Sequence, residues 1–356
     1  MPRHRDDASP PVARLRPTLK DVAAAAGVST AAVSQALNDR GALRPETRRR
    51  ILEVAATLGY TPDRYAAALR RGRTMSIGYV ASAPPASERE AAQAQYAMRQ
   101  LTALCEAAAA HGFTVTVLPT SHPELLRSAR VDAVYAPDAR ESDAVMSLAA
   151  AAHIPLITND LPLPRSVGLW IRTGYEEATR AALDLLAAGG AARVGLLTEG
   201  PGVRRREIGE AVYRTWCAQR RQDTAIVYLE PDRRELAGSV RELLRQGADA
   251  VFSYAQEGPT LFVELSELGI VLPRDLQLVA LCLHDCDINA RLGVTHVCVH
   301  PEAAPRLLLP QLVTTIESNA VDDEEGTAPP VVLPWSIVGG STTLATPAAL
   351  PYAKAP

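Results

Sequence analysis

From Ser76 to Val338 the chain alternates short apolar runs with longer amphipathic stretches, and that alternation constrains its fold more than any other feature. The strand candidates are Ser76–Ala81, Thr114–Leu118, Ala133–Ala136, Leu156–Thr158, Val167–Ile171, Val194–Thr198, Ala225–Leu229, Ala250–Ser253, Leu276–Leu283, Val294–Val299 and Val331–Val338. Amphipathic helices fall between most of them, as in Met98–Ala110, Glu176–Ala188, Ile208–Arg220 and Glu235–Gln246. A strand that returns parallel to its predecessor needs a crossover about one helix long. The order therefore predicts parallel sheets covered by helices, a doubly wound α/β fold. Roughly eleven strands over about 270 residues divide more naturally into two sheets than one.

The first part of the chain reads differently. Residues 1–17 are polar and proline-punctuated, with too little apolar surface to fold, and are expected to be a disordered tail. In the next stretch Leu19, Val22, Ala23 and Ala26 recur at helical spacing behind Thr18, an N-cap residue, and before Gly27, a helix stop. Ser29 suits the cap of a second helix in which Val33, Ala36 and Leu37 face inward. A third begins at Pro45-Glu46, sets Ile51, Val54, Ala55 and Leu58 on one face, and stops at Gly59. Helix, Gly27-Val28-Ser29 turn and helix have helix-turn-helix proportions. In that motif the second helix enters the major groove of DNA. With Val33, Ala36 and Leu37 turned to the core, geometry leaves Thr30, Ala31, Ser34 and Gln35 outward.

Charge supports this reading. Residues 1–74 carry 14 Lys and Arg against 7 Asp and Glu, whereas the rest carry 23 against 33, a split hidden in the overall charge of −3. A basic module on an acidic body suits a polyanion partner. No run of eighteen apolar residues exists, the Arg- and Pro-rich start lacks the apolar stretch of a secretory signal, and five scattered cysteines make no disulfide framework. A cytoplasmic protein without a membrane partner is expected.

The residues TLKDVAAAAGVSTAAVSQALND (Thr18–Asp39) and RPETRRRILEVAATLGYTPDRYAAALRRGRTMSIGYV (Arg44–Val80) resemble the LacI/GalR (lactose-repressor/galactose-repressor) family of bacterial transcription regulators. IPLITNDLPLP (Ile154–Pro164), GGAARVGLL (Gly189–Leu197), RREIG (Arg205–Gly209), LSELGIVLPRDLQLVAL (Leu265–Leu281) and VTHVCVHPEAA (Val294–Ala304) continue the likeness, which runs from Thr18 to Thr343. It implies a homodimer on a near-palindromic double-stranded operator. It also implies a body like a periplasmic sugar-binding protein, whose two lobes close on a small-molecule effector. The implied division is a tail (1–17), a helix-turn-helix domain (18–61), a hinge helix and linker (62–74), the two-lobed domain (75–345) and a C-terminal tail (346–356).

Carried over position by position, the groove readers are Thr30, Ala31, Ser34 and Gln35. Backbone contacts come from Ser29, Asn38, Thr47 and Tyr60, and Thr18 joins the DNA-side residues. Gln35 stands where the family often has Arg. Arg reads guanine and Gln suits adenine, so an adenine is expected at that half-site position. In the hinge Leu69 takes the place of the family's minor-groove wedge, with Ala66, Ala67 and Ala68 small enough to approach the groove. Asp63 replaces the usual Asn and suits a helix cap. Arg64, Arg70, Arg71 and Arg73 supply phosphate attraction.

In the sensing body the likeness thins. Arg206 matches the Arg that often holds the ligand, and Asp160 matches an Asp at the pocket mouth, but Leu161 follows it where an Arg is usual. The family's Asn-Asp pair is replaced by Tyr254-Ala255-Gln256, its Phe-Asp-Asp by Leu281-Cys282-Leu283, and its Asn-Pro-Phe-Phe by Ser82-Ala83-Pro84-Pro85. The effector candidates are therefore Asp160, Arg206 and Gln256. Sugar hydroxyls need convergent carboxylates and amides to replace their hydration. Their loss points to a less polar ligand or to none.

Two trios have no family counterpart. Cys282, His284 and Cys286 alternate, as do His296, Cys298 and His300, and on two strands each trio would share a face. That is a transition-metal donor set. The spacing matches no established zinc signature, and Cys and His also sit singly in cores, so the sequence assigns neither metal nor cofactor. No Walker loop, G-x-G-x-x-G after the first strand, or Gly-x-Ser-x-Gly is present, so no enzyme is expected. The other reading kept is a small-molecule or metal-responsive sensor with little sequence-specific DNA binding.

Overall fold

The computed structural model describes residues 17–37, 41, 43–61, 72–81, 88–164, 166–200, 204–229, 236–255, 258–283, 286–318 and 330–347. They form two compact units that divide between Gly72 and Arg73.

The first unit contains α1 (Leu19–Ala26), α2 (Thr30–Leu37) and α3 (Pro45–Thr57). Thr18 and Asp21 cap α1 reciprocally: the Thr18 amide donates to Asp21 Oδ2 at 2.7 Å, and the Asp21 amide donates to Thr18 Oγ1 at 3.4 Å. Gly27 ends the helix with φ +63°, a conformation cheap only for glycine, and lets the Val28 amide reach the Ala23 carbonyl. The Ala32 amide donates to Ser29 Oγ at 3.2 Å, so Ser29 caps α2. Val22, Ala23, Ala26, Val33, Ala36, Ile51 and Ala55 form the core.

The second unit holds two six-stranded sheets. One uses β1 (Ser76–Ala81), β2 (Thr114–Pro119), β3 (Ala133–Ala136), β4 (Leu156–Asn159), β5 (Gly168–Arg172) and β11 (Val331–Val332), in the order β11-β5-β4-β3-β1-β2. The other uses β6 (Val194–Glu199), β7 (Ile226–Leu229), β8 (Ala250–Ser253), β9 (Gln277–Cys282), β10 (Thr295–Val299) and β12 (Trp335–Val338), in the order β12-β10-β9-β8-β6-β7. All pairings are parallel except β10 with β12. The crossovers are α4 (Glu88–Ala110), α5 (Ala144–Ala151), α6 (Tyr175–Ala188), α7 (Arg204–Gln219), α8 (Leu236–Arg245), α9 (Gly258–Glu267), α10 (Cys286–Leu292) and α11 (Ala303–Ser318). Thus the expected pair of sheets is present.

Neither lobe is a single stretch of chain. The first lobe takes β1 to β5 and then regains the chain for α11, whose Leu308, Leu309 and Leu312 pack with Ile77, Tyr79, Tyr135 and Ile171. The chain passes between lobes after β5, after β10 and between β11 and β12.

Two sequence expectations are corrected. Val331–Val338 is not one strand: Leu333 donates its amide to Arg172 O at 2.7 Å, Pro334 has no amide to continue the ladder, and Trp335 pairs with Val299 in the other sheet. Cys282 and Cys286 do not share a strand either. β9 ends at Cys282, and Cys286 opens α10.

Candidate DNA interface and interlobe site

The core of the first unit fixes the rotation of α2. Val33 and Ala36 are buried, Thr30, Ala31 and Gln35 are exposed, and Ser34 is half-buried. Short polar side chains with an amide among them therefore occupy the outward face of a helix whose N-terminus is capped. Gln35 lies over Gly41: a Cβ at Gly41 would come within 2.7 Å of the Gln35 amide carbon, and Gly41 has φ +80°. Ser29 is exposed at the cap, Thr47 is half-buried in the first turn of α3, and Tyr60 is half-buried against the core beyond it. Thr18 spends its hydroxyl on Asp21, donating at 2.7 Å. Asn38, Ala66 and Leu69, like the whole stretch 62–71 with its arginines, lie outside the described residues.

In the second unit Asp160 and Arg206, two of the residues expected from the sequence, lie near the C-terminal ends of β4 and β6, where the lobes meet. Open α/β sheets bind ligands there. Asp160 follows β4 with φ +54° and is largely buried. Its carboxylate accepts from the Thr173 amide at 2.8 Å and from Thr173 Oγ1 at 2.5 Å, and its carbonyl accepts from Arg204 Nε at 2.6 Å, a contact across the lobes. Burial raises the Asp160 pKa above the ordinary value, and the Thr173 hydrogen bonds pull the other way. Arg206 is ion-paired with Glu199 at the end of β6 and donates to the Gly200 carbonyl. Gln256 lies outside the described residues.

Sequence reasoning overlooked the neighbour of Arg206. Arg205 is 6% exposed, and its charge lies close to the buried rings of Tyr96, Tyr175 and Tyr254. Tyr96 comes from α4 in the first lobe. Tyr175 opens α6 and Tyr254 follows β8, both in the second. The Tyr96 and Tyr175 hydroxyls hydrogen-bond, and Tyr254 Oη donates to the Arg205 carbonyl at 2.9 Å. The Tyr175 and Tyr254 centroids are 6.4 Å apart, and Phe252 meets Tyr254 edge-on at 5.5 Å. Burial drives all three phenol pKa values well up, so these hydroxyls stay neutral donors.

Behind them a second chain of buried polar groups crosses the first lobe. Tyr79 Oη donates to Gln100 Oε1 at 3.4 Å, Gln100 Nε2 donates to Tyr135 Oη at 2.8 Å, and Tyr135 Oη donates to Asn159 Oδ1 at 3.0 Å. The site is thus aromatic and hydroxyl-rich, with Asp160 and Arg206 engaged by the protein itself. The spread of tyrosines over five elements has no local period, so the sequence offered no pattern to find it by.

The other candidates also have places. Cys282, Cys286 and His296 lie together, Cys298 pairs with Cys282 across β9 and β10, and His300 sits 3.5 Å from Ser336 Oγ. His284 is outside the described residues.

Residues 18–63 match the sequence profile described as bacterial regulatory proteins, lacI family. The HTH-type transcriptional regulator AglR of Rhizobium meliloti (strain 1021) is 31% identical over 157 residues, 42% of each chain. The HTH-type transcriptional regulator DegA of Bacillus subtilis (strain 168) is 30% identical over 180 residues, 46% of this chain and 51% of its own. The curated relatives are therefore matched over about half their length or less. Among solved structures, the lac repressor dimer bound to operator and the anti-inducer ONPF has the same fold: TM-score 0.69 at 20% identity, covering 93% of this chain and all of the other.

Proposed function

We propose that the chain is a sequence-specific DNA-binding transcription regulator of the LacI family, whose profile its residues 18–63 match. It acts as a repressor by occlusion, binding a near-palindromic operator as a homodimer. The observation that carries this reading is the capped helix α2, which turns Thr30, Ala31 and Gln35 outward from a fixed core and leaves Ser34 half-buried beside them. Ser29, Thr47 and Tyr60 suit contacts to the DNA backbone around that helix. In the same proposal Thr18 and Asn38 flank the motif, and Ala66 and Leu69 belong to a hinge entering the minor groove.

A small molecule bound between the lobes modulates the affinity. Asp160, Arg206 and Gln256 are its proposed contacts, with Arg205 and the tyrosine cluster added to them. Rings and neutral hydroxyls in place of convergent carboxylates favour an effector less polar than a sugar.

Selection of bound duplexes from a random library tests the proposal. A two-fold symmetric site with adenine opposite Gln35 is expected, and Gln35→Arg should shift that position to guanine. One bidentate contact contributes about 1–3 kcal/mol of discrimination, roughly a 5- to 150-fold preference. Binding without sequence preference at every salt concentration would overturn it.

A further inference from the structure

A buried imidazole in the second lobe has a nitrogen that accepts from no N–H or O–H. His296 is 0% exposed on β10. Its Nδ1 lies 2.8 Å from the Val294 carbonyl, which can only accept, so Nδ1 carries the proton. That tautomer leaves Nε2 a bare lone pair, and Nε2 is buried without a hydrogen-bond partner. Leaving such an acceptor dry is costly unless something else meets it.

Thiols are what surrounds it. Cys282 closes β9 and Cys286 opens α10, and their sulfurs stand 3.2 Å apart. One donor atom from each of Cys282, Cys286 and His296 lies within 4.8 Å of the others. Cys298 is the register partner of Cys282 on the adjacent parallel strand and lies two residues beyond His296, so all three project from one face. Its thiol lies beside those of Cys282 and Cys286. Three consecutive elements thus bring the donor atoms of Cys282, Cys286 and His296 together, with Cys298 on the same sheet face as Cys282 and His296.

We propose that Cys282, Cys286, Cys298 and His296 form a Zn²⁺ site of the Cys₃His class. Zinc takes such a set tetrahedrally, with Zn–S about 2.3 Å and Zn–N about 2.0 Å, which puts sulfurs about 3.8 Å apart. The Cys282–Cys286 separation needs to open by only about half an ångström to reach that. The Val294 carbonyl plays the outer partner that fixes a ligating imidazole. Three thiolates on Zn²⁺ leave one negative charge. Arg99 faces it: the guanidinium donates to the Leu283 carbonyl at 2.9 Å, pairs with Glu302 at 2.8 Å, and acts electrostatically on Cys298. Because Arg99 comes from α4 of the first lobe, the metal would sit beside a contact that joins the lobes.

The test uses tag-free full-length protein, reduced and freed of metal, then titrated with Zn²⁺ against a chromophoric chelator and with Co²⁺ in the visible. One Zn²⁺ per chain is expected, with the intense d–d and sulfur-to-metal charge-transfer bands of tetrahedral cobalt thiolate. Cys282→Ser and Cys298→Ser should weaken binding by more than the roughly 10- to 100-fold that loss of an outer partner costs. If either variant fails to fold, Cys286→Ser carries the test, since Cys286 is only half-buried at the start of a short helix. It should fold as the parent does and lose the cobalt bands. The proposal is overturned if the reduced protein cannot compete with the chelator, or if Cys286→Ser binds Zn²⁺ unchanged. It is equally overturned if Cys282 and Cys286 form a disulfide and the reduced form takes no metal.

Discussion

Gly209, in the second turn of α7, faces the ring of Tyr254 so closely that a methyl group there tests how firmly the interlobe site is built. An added Cβ would lie 2.6 Å from Tyr254 Cε2 and Cζ and 3.0 Å from its oxygen. Ordinary carbon contacts are about 3.5–4.0 Å, so the ring must retreat by about 1 Å. It has little freedom to do so: Tyr254 is 2% exposed, Phe252 and Tyr175 flank it, and its hydroxyl is bound to the Arg205 carbonyl of the same helix. Overpacking costs about 1–3 kcal/mol, and breaking the buried hydroxyl bond costs about 1–3 kcal/mol more. Against this, Ala in a helix interior gains about 1 kcal/mol over Gly. Gly209→Ala should therefore destabilise the second unit by about 1–5 kcal/mol, read as a melting temperature lower by several degrees. In a Tyr254→Leu background the same substitution should become neutral or stabilising, a coupling that a double-mutant cycle measures. If Gly209→Ala alone raises the melting temperature, the ring is free to move and the packed-site argument is wrong.

Three further outcomes follow from the contacts described. Thr18→Ala removes the capping box of α1 and should cost the first unit about 1 kcal/mol, seen by chemical denaturation together with weaker operator binding. Asp160 has its folded pKa raised above the unfolded value, so it favours the folded state at low pH and loses that contribution as pH rises through the folded pKa. Asp160→Asn can keep both Thr173 bonds without the charge. The variant should be at least as stable at pH 7, and melting across a pH series should show the wild type alone weakening above the ordinary carboxylate range. Gly168→Ala would place a Cβ 1.9 Å from the Leu156 carbonyl in the neighbouring strand, where neither backbone can yield; insoluble protein is expected in an expression and circular-dichroism screen.

Periodicity is a local signal, and what it reached was what local chemistry decides. Thr18, Gly27 and Ser29 act on residues within a turn of themselves, and the α1 and α2 limits follow from them. The doubly wound body was equally legible, because apolar runs at crossover spacing permit few other arrangements. Pro334 was present to warn of a break, but the apolar residues around it outweighed it in a pattern reading. Cys282, His284 and Cys286 alternate as strand residues do, yet the strand ends at the first of them. Arg205 was the least accessible from sequence. It stands in a run of three arginines that looks like a solvated face, yet it is buried beside Tyr96, Tyr175 and Tyr254, which come from distant parts of the chain.

The interrupted first lobe has a consequence during synthesis. Its five leading strands leave the ribosome before α11, which covers Ile77, Tyr79, Tyr135 and Ile171, and before β11, which covers the β5 edge. About 130 residues, the bulk of the second lobe, must be translated between Arg172 and Ala303, roughly 7 to 26 seconds at typical elongation rates of about 5–20 residues per second. For that interval the part of the sheet face that α11 covers and an unpaired strand edge stand open on the nascent chain. A chaperone that shields such surfaces should therefore raise the soluble yield of this protein more than that of the second lobe, whose strands β6 to β10 emerge without interruption.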